Sequence, residues 1–142
     1  MPGKRNVSRM PPVSKSINPV VPGWSFARMI LRLRATMRMQ RAMNHSSRCD
    51  ELMTEHRVPE ALEECSAATR LLPDFPELRF WHAVTLASIG RESDAAPIFR
   101  DLFRAEPFWA DLLRRLPASG LFPADPALME RMQALAPRSQ KR

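Results

Sequence analysis

Tyrosine is absent from the 142-residue chain, cysteine occurs twice and glycine four times. Two cysteines cannot staple a small secreted domain. The fold must therefore rest on a packed core, with free thiols and a cytoplasmic location expected. Four scattered glycines exclude a glycine-rich phosphate-binding loop. No apolar run reaches the roughly 18 residues of a membrane-spanning helix. Strand-like alternation of apolar and polar residues is missing over any useful length. No apolar segment with a small-residue cleavage site follows the start, so a secretory leader is not expected. The length suits one domain with a tail and is too short for a β/α barrel.

Negative charge is missing from one part of the chain. Residues 1–49 hold ten Lys and Arg and no Asp or Glu. Residues 50–142 hold twelve basic against fifteen acidic groups, a net −3. The formal charge of +7 thus describes a cationic arm joined to a mildly acidic domain. Pro2, Pro11, Pro12, Pro19 and Pro22 fall in the first 23 residues, blocking helix and sheet alike, so residues 1–23 read as a disordered basic arm.

From Trp24 the pattern becomes helical. Phe26, Met29, Ile30, Leu33 and Met37 recur at helical spacing, and Arg28, Arg32, Arg34, Arg38 and Arg41 take much of the remaining surface. Residues 24–41 therefore read as a basic amphipathic helix. Contact with an anionic membrane surface is one role for such a helix. An organellar targeting role is another. A nucleic-acid role is not expected, because no aromatic platform beyond Trp24 and Phe26 is interleaved with the arginines. An arm without an evolved role is the plain alternative, since Met29, Met37, Met39, Met43 and Met53 offer later starts.

Self-similarity appears in the remainder. A shift of 34 residues places Cys49 on Ala83, Leu52 on Leu86, Ala61 on Ala95, Cys65 on Phe99, Ala68 on Leu102 and Pro73 on Pro107. Thirty-four is the period of the tetratricopeptide repeat, a pair of antiparallel helices. The clearer unit, about 76–109, has small Ala83 and Ala95 where two backbones would approach, Gly90 at the turn and Pro107 at the end. The weaker unit, about 42–75, has His56 in place of the turn glycine. Helices are expected near 42–55, 59–72, 76–89, 93–105, 107–115 and 126–136, with a proline-rich turn over 116–125. Asp94 and Asp125 are the expected N-caps of the fourth and last of these. The fold class is thus all-α: a tetratricopeptide-like array of two repeats plus a capping helix over 42–137, followed by a short tail, 138–142.

A longer string carries a second resemblance. Pro76-Glu77-Leu78-Arg79-Phe80-Trp81-His82-Ala83, Gly90, Pro97-Ile98-Phe99, Leu112-Leu113-Arg114-Arg115-Leu116-Pro117, Gly120-Leu121 and Asp125-Pro126 fall in this order. Residues 60–135 so resemble the C-terminal helical region, described as peptidoglycan-binding, of an uncharacterised Ntn-hydrolase-like family. The resemblance implies a detached cell-wall-binding or regulatory piece. It does not extend to residues 1–49, so no nucleophile is carried over.

Catalytic groupings are not found. There is no Cys-x-x-Cys and no His-Glu-x-x-His. His45, Cys49, His56 and Cys65 are the only set with metal-like spacing, but the repeat register puts both cysteines in a helix–helix core, close enough to pair in an oxidising compartment. His82 has no evident partner and reads as structural. No cofactor and no metal is expected. The expected function is non-catalytic binding of a protein or peptide on the concave face of the repeats. The repeat pattern maps Met43, Ser46, Asp50 and Met53 onto that face from the first unit, and Glu77, Phe80, Val84 and Ser88 from the second. Phe80 and Val84 would anchor an apolar residue, beside Met53, and Arg114 would pair with a carboxylate. Alternatively the last helix fills the groove with Leu128, Met129 and Met132.

Overall fold

The computed structural model describes residues 23–138. The expected disordered arm and tail lie outside these residues, apart from Gly23 and Arg138. Six α-helices follow one another: α1 (Gly23–Thr54), α2 (Val58–Leu71), α3 (Pro76–Ser88), α4 (Glu92–Ala105), α5 (Phe108–Arg115) and α6 (Pro126–Gln133). A short 3-10 turn, Leu116–Ser119, continues from α5. No strand occurs among the described residues. None of their helices is long and apolar enough to cross a membrane.

The chain divides into two compact units, Met1–Ala35 and Thr36–Arg142. In the first, the described residues are helical, and Phe26, Met29, Leu31 and Leu33 are exposed. The sequence suggests a boundary between two helices at residues 41 and 42, yet α1 runs through it without a break. The reason is local. No Pro or Gly occurs between Trp24 and Thr54, and nothing there offers a cap strong enough to end a helix rich in Arg, Met, Leu and Ala.

The second unit is built on a register of 34 residues that reaches down to single hydrogen bonds. At the end of α1 the Arg57 N–H donates to the Leu52 carbonyl at 2.9 Å, and at the end of α3 the Arg91 N–H donates to Leu86 at 2.9 Å. One residue earlier, His56 donates to Met53 and Gly90 to Ala87. Both turns need a left-handed residue: His56 has φ +58° and Gly90 has φ +85°. This is the paired 6→1 and 5→2 closure of a helix end. The side chains follow the same register. Thr54 Oγ1 donates to the Asp50 carbonyl and Ser88 Oγ to Val84, while the Arg57 and Arg91 guanidiniums donate to Glu60 and Asp94.

That last pair corrects an expectation. Asp94 does not cap α4, because its carboxylate is taken by Arg91 and the helix starts two residues earlier, at Glu92. Pro97 consequently lies inside the helix, where it lacks the N–H that would bond to Ser93. Asp125 does cap α6, its Oδ1 accepting from the Ala127 and Leu128 N–H groups at 3.0 and 3.2 Å.

The main core lies between α3, α4, α5 and α6. Phe80, Phe99, Phe103 and Leu113 are fully buried in it, and Phe99 and Phe103 stack with centroids 5.3 Å apart. Ala83 and Ala95 have no exposed surface, as the close helix crossing requires. Leu128 and Met132 of α6 join this core, and α6 is tied to α4 by the Arg131–Glu92 pair and to α5 by Gln133 Nε2 donating to the Ala110 carbonyl. A smaller cluster of Cys49, Leu52, Ala61 and Cys65 joins α1 to α2.

The thiols in that cluster are not free. Cys49 and Cys65 form a disulfide, with Cα atoms 5.4 Å apart, a separation that the bond spans readily. The free-thiol expectation fails because the repeat register brings these two side chains face to face in the layer that Ala83 and Phe99 fill in the second unit. Zinc ligation by His45, Cys49, His56 and Cys65 fails with it. A disulfide supplies no thiolate, and no cluster of His, Cys, Asp and Glu among the described residues is able to hold a metal. His45 instead pairs with Glu64.

Candidate functional site

A groove of about 670 Å³ runs between the end of α1 and α3 and is closed at one end by the turn after the 3-10 segment. Helical spacing sets its walls. Ser46, Asp50 and Met53 recur at i, i+4 and i+7 along one side of α1, and Trp81, Thr85 and Ser88 do the same along α3. Val84, only 4% exposed, forms part of the floor. Gly120, with φ +72°, turns the chain back so that Leu121 projects into the groove.

The groove polarity is uneven. Its hydroxyls are occupied: Thr54 Oγ1, Thr85 Oγ1 and Ser88 Oγ all donate to carbonyls of their own helices at 2.7–3.0 Å. Two large apolar groups face solvent, Trp81 at 36% exposure and Leu121 at 55%. Asp50 is the one charged residue of the lining, and among the described residues no cation pairs with its carboxylate. Partial burial against the groove walls pushes the Asp50 carboxyl above its ordinary value of 3.8. The arrangement offers a lone carboxylate beside an indole face and two apolar side chains. Such a set favours a cationic side chain with an apolar neighbour.

Of the residues expected on the concave face, Ser46, Asp50, Met53, Val84 and Ser88 line this groove. Met53 serves two surfaces, because it also packs on the disulfide cluster. Met43 packs with Ala42, Ala68 and Leu78 instead, and Glu77 is exposed outside the lining. Phe80 has no exposed surface. Its ring lies 5.1 Å from Trp109 and 6.0 Å from Phe99, so it supports the groove from behind. Arg114 is also outside the lining and pairs with Asp111 on its own helix at 2.7 Å. The capping-helix alternative does not apply to this groove: Leu128 and Met132 fill the core on the α4–α5 side, and none of Leu128, Met129 and Met132 is in the lining.

Trp81, Thr85 and Leu121 are the lining residues that sequence reasoning did not place. For Trp81 a signal existed. Phe80, Ala83, Val84 and Ala87 form the i, i+3, i+4, i+7 stripe, so of the adjacent pair Phe80 and Trp81 only Phe80 falls on the buried face. His82 is half-buried on α3; burial first, and then the Arg91 charge, hold it below its ordinary 6.5.

No family model, curated protein or solved structure matches this chain. The resemblances drawn above therefore rest on the residues quoted for them.

Proposed function

We propose that this protein is a non-catalytic binding module made of two tetratricopeptide-like helical hairpins, and that it holds a cationic, apolar-flanked peptide segment in the groove beside Asp50 and Trp81. The repeat part of this reading is supported by the recurrence of turn bonds, left-handed residues and side-chain pairs at 34 residues. The binding part is carried by one observation: an unpaired, partly desolvated Asp50 carboxylate set among exposed Trp81 and Leu121. Leaving these groups uncovered has no benefit to folding, since a carboxylate with a raised pKa is destabilised when ionised. An arriving lysine or arginine would restore the lost solvation and lie against the indole.

Selection from a displayed peptide library tests the reading. Wild-type protein should enrich peptides with Lys or Arg next to a large apolar residue, and Asp50→Asn should lose that preference. Enrichment of acidic or purely apolar peptides, or an unchanged preference in Asp50→Asn, would refute it. The groove also contains Gly120 and Leu121 from the string that carried the hydrolase-family resemblance. Peptidoglycan fragments are thus the second ligand class, and binding of these in place of free peptides would favour the cell-wall-binding alternative. The closed Cys49–Cys65 bond supports an oxidising compartment in preference to the cytoplasm.

A further inference from the structure

We propose that the first turns of α1, around residues 26–34, dock on an anionic lipid bilayer surface. Phe26, Met29 and Leu33 fall at i, i+3 and i+7, on one stripe of the helix, and are 61%, 50% and 54% exposed. Ile30 lies within the same stripe and is half-buried. Arg34 flanks it on one side, Arg28 and Arg32 on the other, by helical register. No acidic residue occurs in α1 before Asp50.

Three occupants would suit a cationic helix, and the apolar stripe separates them. A nucleic acid would meet the arginines through phosphates but gives exposed Phe, Met and Leu nothing apolar to enter. A second copy of the helix would cover the stripe but would bring two sets of arginines together with no carboxylate between them. An anionic bilayer satisfies both halves at once. The stripe enters the headgroup–acyl boundary, and the arginines extend their stems along it to reach lipid phosphates. The helix would lie on the membrane without crossing it, consistent with its insufficient apolar length.

The test uses the full chain and vesicles of phosphatidylcholine, alone or with about a third phosphatidylglycerol. The protein should float with the anionic vesicles at least about tenfold better than with the neutral ones, and added salt should reduce this. Phe26→Ser and Leu33→Ser should each weaken binding roughly tenfold or more with all charges kept. Arg34→Gln should weaken it about fivefold. All three side chains are exposed, so the variants should retain the wild-type circular dichroism and melting curve. Equal affinity for neutral vesicles, or no flotation at all, would overturn the proposal. An unchanged Leu33→Ser would reduce the contact to bare charge adsorption and would also overturn it. So would tighter binding to a DNA duplex than to the vesicles, or a lipid-free dimer that Phe26→Ser abolishes.

Discussion

Reduction of the Cys49–Cys65 bond is the sharpest perturbation of this fold. The two residues are 16 apart in sequence and bridge α1 to α2 through a cluster in which Cys49 is fully buried and Cys65 is 7% exposed. Cross-linking a loop of this size removes chain entropy from the unfolded state worth about 3 kcal/mol at room temperature. Nothing else in the cluster compensates, since it contains only Leu52, Ala61 and the partly buried Met53 besides the cysteines. A small domain is stable by about 5–15 kcal/mol in total, so the loss is a large share. Urea unfolding followed by circular dichroism, with and without reductant, measures it. With a slope of about 1.5 kcal/mol/M the midpoint should fall by about 2 M. The melting temperature should fall by more than about 10 °C. A thiol titration of the unfolded, unreduced protein should find none. Two titratable thiols in the native material would refute the cross-link, and a midpoint shift below about 0.5 M would refute the entropic account of it.

The turn equivalence is testable at its two left-handed residues. Gly90→Ala meets no atom within 4 Å of the new Cβ, so it should cost only the backbone strain of φ +85°, about 1–2 kcal/mol. His56→Gly, at φ +58°, should change stability by less than about 1 kcal/mol, because relief of strain is offset by unfolded-state entropy. In the core, Phe99→Ala should cost about 3–5 kcal/mol by denaturant titration, and Ala95→Trp at the tight crossing about 1–3 kcal/mol or more. His82 is held below 6.5, so the fold favours its neutral form and gains stability above that pH. Unfolding midpoints should fall as pH drops through and below 6.5, and His82→Gln should flatten that part of the profile. Asp50 has the opposite sign: its raised carboxyl adds stability only below 3.8 and loses it as pH rises, so Asp50→Asn should be at least as stable as wild type at neutral pH while losing peptide preference.

The helices were readable from residues close together in the chain. Apolar spacing, Pro59 and Pro76 in first turns, Gly90 past a helix end and the Asp125 cap all act within one or two turns, so they operate before any tertiary contact forms. The 34-residue period was readable for the same reason, each unit repeating its own local signals. Where reasoning from sequence went astray, a competing contact was present. Arg91 takes the Asp94 carboxylate and moves the start of α4, and the missing breaker near residue 41 lets α1 run on.

The groove was half visible. Ser46, Asp50, Met53, Val84 and Ser88 follow from helical register within each unit. Leu121 does not, because it arrives from a turn more than thirty residues beyond α3 and its direction depends on the positive φ of Gly120. Phe80 was legible as a large apolar residue on α3, but only the aromatic neighbours Phe99 and Trp109, supplied by α4 and α5, draw it into the core and leave Trp81 at the groove. The same distinction holds for the cysteines. Their register is local, but whether they remain thiols depends on two helices packing closely enough for the bond to close. Periodicity and caps are properties of neighbouring residues and are written in the chain. Burial, pairing and the partial desolvation of Asp50 are properties of distant ones, and only packing decides them.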